Sequence, residues 1–486
     1  MMKMKKIITT SFLFIFLLIG CQDDFLDVPR YEDVLTEGGL ANTDEGARAL
    51  VTSVYAKFLD WNISSFPWIG VSSITSDDAD KGSVAGDTGA DKDLLDNLTW
   101  NATSPSFNEV YRGNYEAINK ANFAIEQLPL ITGANPVLRT QLDGEAKFLR
   151  AFCYFTLVRC FGPVPLVDHI KVSGNVDDEA MLVVRRPVND IYAFIDQDLT
   201  SAIASLPDKS TYDANNKGRV SKGSALALLA KVKLYRQQWS EVIALTSQIS
   251  GYTLTTNYEM NYRFSGEFNN ESMFEINSYT GDPIKGIDKY SKVQGPRGGT
   301  SDIGWGFNTP SSSLLAAYEA GDKRKDATII FAGQLLYDGF QISSATANPR
   351  YNYKAYSSAF PSADVSDTNI KYLRYAEVLL LRAEAFNELN DLPNAKLELN
   401  KVRTRAGLPN TAATTQADLR IAIWKERRVE LAFEHDRWFD LIRTGQAEAA
   451  MAIHGKTFVV GKHELFPIPQ AVVDESNGVT TQNPNY

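Results

Sequence analysis

The chain has 486 residues, 44% hydrophobic and 22% charged, which is apolar surface enough for a large core or for two or three ordinary domains. Acidic side chains outnumber basic ones, 59 to 49, for a net charge of −10. That balance argues against nucleic acid as a partner and against electrostatic adhesion to anionic lipid.

At the N-terminus, Lys3, Lys5 and Lys6 precede the unbroken apolar run Phe12–Ile19, the charge and hydropathy pattern of a secretory signal. The run is too short to span a bilayer. It ends in "LLIGC", which resembles the lipobox of bacterial lipoproteins and makes Cys21 the expected lipidation site, with residues 1–20 removed. Two or more acyl chains on that cysteine would anchor the chain stably to a membrane. Loss of residues 1–20 takes away three lysines and no acids, leaving 46 basic and 59 acidic side chains, net −13.

Helical periodicity dominates the rest of the chain. Helices are expected over Thr43–Leu59, which opens on a Thr cap with acids in its first turn, and over Phe107–Leu128, Asp143–Phe161 and Val188–Leu206. The next are Ser221–Gln237 with Ser240–Ile249, then Thr368–Leu389 with Leu392–Arg405, and a last long one over Gln416–Arg443. Cys153 and Cys160 lie seven apart on one helix. Two turns separate them by about 10.5 Å, beyond the roughly 4.4–6.8 Å a disulfide needs, so they are expected as buried thiols. The four histidines, His169, His435, His454 and His463, show no metal-ligand spacing.

In the pair 368–405, Leu379, Ala383, Phe386, Ala395, Leu399 and Val402 fall where tetratricopeptide repeats place small and large packing residues. The segment 221–250 matches more loosely. Four helix pairs are expected near 43–128, 139–206, 221–250 and 368–405, stacked as a curved scaffold because none buries its apolar face alone. The expected fold is therefore mainly α, with loop-rich insertions at 60–106 and 251–367 and a few short strands such as "FEINSY" and "GKTFVVG". Loops this long, with tryptophans in them, are usually ordered for a purpose.

Several segments together resemble the SusD/RagB family of Bacteroidetes surface lipoproteins: "CQDDFLDV", "EAKFLRAFCYFTLVRCFGPVPLV", "LRYAEVLLLRAEAFNEL", "ERRVELAFEHDRWFDLIRTG" and "LFPIPQ" with "TQNPNY". They run in the expected order through nearly the whole of residues 21–486, so a single SusD-like domain is expected. The resemblance implies a glycan-binding protein of the outer membrane, on the cell surface, that partners a SusC-like TonB-dependent transporter. It implies neither catalysis nor a cofactor. A scaffold that serves the same kind of transporter with peptide or another nutrient is the alternative.

Sugar rings stack on indole or phenol faces and hydrogen-bond to polar groups at the rim. Trp68, Trp100, Tyr279 and Trp305, with Asp77, Asp78 and Arg297, are the insertion residues that fit this need. No "GxSxG" or "HExxH" motif is present, and "DDADKGSVAGD" lacks the spacing and closing Glu of an EF-hand. In "ERRVELAFEHDRWFDLIR", Glu426, Glu430 and Glu434 form one ladder beside an apolar stripe, with Arg427 and Arg437 near it. Like charges four apart repel, so these five residues are expected to act as a structural ion-pair brace.

Overall fold

The computed structural model describes residues 42–486 except 85, 88, 279–285, 358–364 and 367. The signal segment, Cys21 and Tyr279 lie outside the described residues.

The fold is mainly helical, and several of its helices start at a capping side chain. Thr43 accepts from the Gly46 N–H at 3.3 Å to open Asp44–Lys57. Pro136–Phe161 begins seven residues before the expected Asp143, because Asn135 caps it and Pro136 sits at its first position, where a missing N–H costs nothing. It ends at Gly162, whose φ of +69° favours glycine, followed by Pro163. Pro105–Gln127 and Val188–Ser205 pack along it. Both Cys153 and Cys160 are buried and free, and burial pushes the Cys160 thiol up to about 12.

Lys222–Tyr235, with its Ser221–Ser224 capping box, is followed by the short helix Trp239–Thr246. Tyr375–Glu388, Leu392–Arg405 and Gln416–Glu430 share one apolar cluster. Leu379, Ala383, Ala395, Leu399 and Val402 meet Leu419 and Ile423 there, and Phe386 packs against it.

Three expected elements are corrected. Residues 368–374 do not extend the helix. Ile370–Arg374 is a fully buried strand paired antiparallel with Ser272–Ile276, and helical geometry starts only at Tyr375. The long final helix is two: Gln416–Glu430 and Arg437–Arg443 are separated by a turn in which Phe433 (φ +62°) and His435 (φ +69°) are left-handed. "GKTFVVG" forms no strand, whereas "FEINSY" overlaps the strand Ser272–Ile276.

The two insertions are joined by a short antiparallel pair, Ala79–Gly82 with Phe307–Pro310, in the register Ala79↔Pro310 and Gly82↔Phe307. That pairing brings residues 60–106 against residues 295–310, and the candidate site forms at their junction.

Candidate functional site

The expected sugar-stacking residues separate sharply. Trp68 is 3% exposed and stacks on Phe439 at 5.9 Å between centroids, with His435 beside it. Trp100 is 2% exposed, packs edge-on to Phe107 and Trp438, and donates its indole N–H to the Tyr486 hydroxyl at 2.7 Å. Both rings are core residues and present no free face. Asp77 and Asp78 are buried as well, each taken up by an arginine. These four corrections have one cause: Trp68, Asp77, Asp78 and Trp100 each turn inward against residues of the C-terminal third, Phe439, Arg437, Arg428 and Trp438 in turn.

Trp305 differs. It is only partly buried, and it meets Trp61 and Phe66 edge-on, each at 6.3 Å between centroids. Trp61 and Phe66 close the triangle at 5.8 Å and 71°. Phe66 rests on the buried Phe307 ring at 4.6 Å. Sequence reasoning passed over Trp61 and Phe66, although "DWNISSFPW" puts three aromatics within eight residues. Each is the first residue of a four-residue helix, Trp61–Ser64 and Phe66–Ile69.

The loop that carries Trp305 is held by backbone. Gly295 and Gly304 cross so closely that a Cβ on Gly304 would lie 2.4 Å from the Gly295 Cα. The Trp305 N–H donates to the Lys292 carbonyl at 2.7 Å, and the Gly306 N–H to the Gly295 carbonyl at 3.0 Å. Arg297 reaches the Ser83 hydroxyl at 2.6 Å and pairs with Asp87, bridging the insertions beside the rings. Thus Arg297 and Trp305 are brought together, while Trp68, Trp100, Asp77 and Asp78 are not part of the same surface.

Apart from these rings, a buried charge network surrounds Glu426, Glu430 and Glu434. Glu430 is fully buried and receives Arg324 at 3.0 Å, Arg374 at 2.9 Å and Arg405 at 2.5 Å. Burial pushes its carboxyl up, but the three guanidinium charges outweigh burial and hold it well below the ordinary range. Glu434 takes Arg374 at 2.8 Å and Lys354 at 2.7 Å. There too the cations overcome burial, bringing the carboxyl down to about 2. Glu426 meets Arg324 and Arg403, yet burial dominates and raises it. Arg427 pairs with Asp440 and Glu377. Arg437 does not serve the glutamate ladder; it pairs with Asp77, while Arg428 takes Asp78 at 2.7 Å. Among the described residues no cluster of His, Cys, Asp and Glu could hold a metal ion. Nor is any described helix long and apolar enough to cross a membrane.

Comparison with known proteins accounts for both halves of the chain. Residues 270–486 match the model of the SusD family, and residues 24–234 match a model described as starch-binding, associating with the outer membrane. The chain belongs to the SusD family. This SusD-family chain is 27% identical to a SusD-like protein of Formosa agariphila, over 99% of its own length and 100% of the relative's. It is 25% identical to the starch-binding protein SusD of Bacteroides thetaiotaomicron, over 81% of each. Among solved structures it superposes on a laminarin-binding SusD-like protein with a TM-score of 0.76 at 28% identity, covering 91% of this chain and 99% of that one.

Proposed function

We propose that this SusD-family chain binds a neutral glycan on the platform formed by Trp61, Phe66 and Trp305, with Arg297 donating at the rim. The observation that carries this reading is the platform itself: three partly buried rings, set edge-on and held by a glycine-crossed loop, at the junction of both insertions. Rings fixed in this way offer apolar faces to sugar C–H groups at little cost in conformational entropy.

Charge balance supports a neutral ligand. Lys289 lies 5.8 Å from the Trp61 ring and is paired with Asp288 at 3.0 Å. Lys92 lies 4.2 Å from the Phe66 ring and is paired with Asp91 at 2.8 Å, and Arg297 is paired with Asp87. Each of these cations already has a carboxylate, so a uronate or sulfate would gain little here. Laminarin and starch, the ligands named for two of the similar proteins, are both neutral glucans.

On this reading the protein is a surface lipoprotein anchored through Cys21, non-catalytic, that passes its glycan to a SusC-like TonB-dependent transporter. Affinity electrophoresis of the Cys21-truncated protein through gels containing laminarin or starch tests it, with oligopeptide titration as the counter-experiment. Retardation by a neutral glucan that is lost in Trp305→Ala is the expected outcome. Binding of oligopeptides with no glycan retarding the protein would replace the glycan reading with the peptide one.

A further inference from the structure

The seven tryptophans fall into three groups. Trp68, Trp100 and Trp438 are core, and Trp61 and Trp305 belong to the platform. The remaining two, Trp239 and Trp424, are partly buried and line one pocket of about 360 Å³ among the helices, formed by elements that do not carry the platform. It lies where the end of Lys222–Tyr235, the start of Trp239–Thr246, and the helices Tyr375–Glu388, Gln416–Glu430 and Arg437–Arg443 meet. A tight turn presents Trp239: Gln237 is left-handed at φ +55°, and the Gln238 N–H donates to the Lys233 carbonyl at 2.9 Å.

The polar lining of the pocket is already paired. Arg443 grips Glu384 with two bonds of 2.6 and 3.0 Å, and Arg420 grips Glu388 with two of 2.7 and 2.6 Å. The Trp424 indole N–H points to Glu384 at 3.4 Å. The Arg443 guanidinium carbon is 5.5 Å from the Tyr235 ring centroid. Two arginines against two glutamates leave these four groups with no net charge. An anion would have to displace a bidentate carboxylate, and a cation a bidentate guanidinium. A purely apolar ligand would leave both ion pairs desolvated at its edge. What fits is a ring with an apolar face and a periphery of uncharged hydroxyls, which the free lone pairs and N–H groups of these pairs can meet. The volume lies in the range of pockets that take one small ligand.

We propose that the Trp239–Trp424 pocket is a second saccharide site, taking one or two rings of a neutral glycan on the helical side of the molecule. It goes beyond the platform and does not rest on it. A polysaccharide long enough to touch both would be held by two weak contacts in one chain, which raises its apparent affinity over that of a short fragment.

The test titrates the Trp61→Ala/Trp305→Ala variant, which lacks the platform, with laminaribiose, maltose, cellobiose and xylobiose into the tens of millimolar, reading tryptophan fluorescence. A saturable change with at least one disaccharide, abolished when Trp239→Ala and Trp424→Ala are added, is expected. Flat titrations with all four, or a change that survives loss of both indoles, overturn the proposal. The reciprocal variant separates the two sites. If Trp239→Ala/Trp424→Ala binds laminarin as tightly as the parent and the platform variant is silent, the second site fails and the platform stands. The reverse pattern sinks the platform and keeps the pocket. Should a variant melt below the assay temperature, crystals of the unmutated protein soaked in the same disaccharides decide, since bare indoles at 239 and 424 would count against the site.

Discussion

Arg437 grips Asp77 with two parallel hydrogen bonds, Nε to Oδ1 at 2.7 Å and Nη2 to Oδ2 at 2.8 Å, across 360 residues of chain. Its side chain and that of Asp77 are 11% and 3% exposed, so water cannot replace either partner. Asp78 and Arg428 sit beside them as a second pair. Burial pushes the Asp77 carboxyl up, and its hydrogen bond and charge pairing with Arg437 more than reverse that, leaving it below its ordinary value. Asp78, with burial dominant, ends above its own.

Arg437→Ala strips one cation from this group of four and leaves two buried carboxylates to share Arg428, one negative charge in excess. A loss of about 3–5 kcal/mol in folding stability is expected, read by chemical denaturation, with glycan affinity unchanged in the protein that remains folded. Near-normal stability combined with abolished binding would contradict the structural role. Adding Asp77→Asn should recover part of the loss, because the orphaned charge goes with it.

Trp305→Ala and Trp68→Ala should behave oppositely. Trp68 is enclosed, and truncating it costs about 3–5 kcal/mol through cavity formation. Trp305 keeps one side toward solvent. Its loss should leave the melting temperature nearly unchanged while weakening laminarin retardation at least tenfold, equivalent to about 1.4 kcal/mol. Parallel loss of stability and binding in both variants would make Trp305 a packing residue.

Gly304→Ala tests the loop from behind. The added Cβ meets backbone, 2.4 Å from the Gly295 Cα, so the crossing must open and carry Trp305 away from Trp61 and Phe66. Weakened glycan binding with little change in melting is the expected signature, measured on the same gels. Unchanged affinity would mean that the crossing does not set the position of the indole.

Acid should weaken the fold in two steps. Burial lowers His435 from 6.5 to about 4, against the pull of Asp436 and Glu434 and together with the push of Lys231. Ser72 bonds its Nδ1 at 2.9 Å, and the rings of Trp68, Tyr290 and Tyr372 enclose it. Below pH 6.5 the unfolded chain takes up the proton and the folded chain does not. Stability is therefore lost between about pH 6.5 and 4, by about 3 kcal/mol in all. Glu434 acts lower: its folded carboxyl lies near 2, so its contribution is present above 4.5 and disappears as pH falls toward 2. His435→Asn, which tolerates the left-handed backbone at that position, should shrink the upper step, the rest of which belongs to His463, lowered by burial to about 4 as well, and leave the lower one. A pH profile identical to the parent's would refute the assignment.

The helices were legible because their apolar spacing and caps are local. Val188–Ser205 and Leu392–Arg405 lie within one residue of where periodicity predicts them. The strand Ile370–Arg374 was not, since its partner Ser272–Ile276 lies about a hundred residues earlier and the apolar pattern runs on into Tyr375–Glu388. The break at Phe433 and His435 was hidden for a related reason: neither is glycine, and the left-handed backbone there is held by tertiary packing. Within the candidate site, residue type showed which rings could stack on a sugar but not which were already enclosed. Trp68 and Trp305 both stand in loop-like sequence, and only the packing of Trp68 against Phe439 and His435 tells them apart.

The group of four around Arg437 also bears on how the chain is made. Synthesis runs from the N-terminus, and early segments fold as they emerge. Asp77 and Asp78 are joined to Arg428 and Arg437 only after some 350 further residues. Until then two adjacent carboxylates have no counter-charge and cannot be enclosed without penalty. The segment around them, platform residues Trp61 and Phe66 included, therefore cannot settle into its final packing early. The N-terminal part of the fold closes only when the C-terminal third has been made.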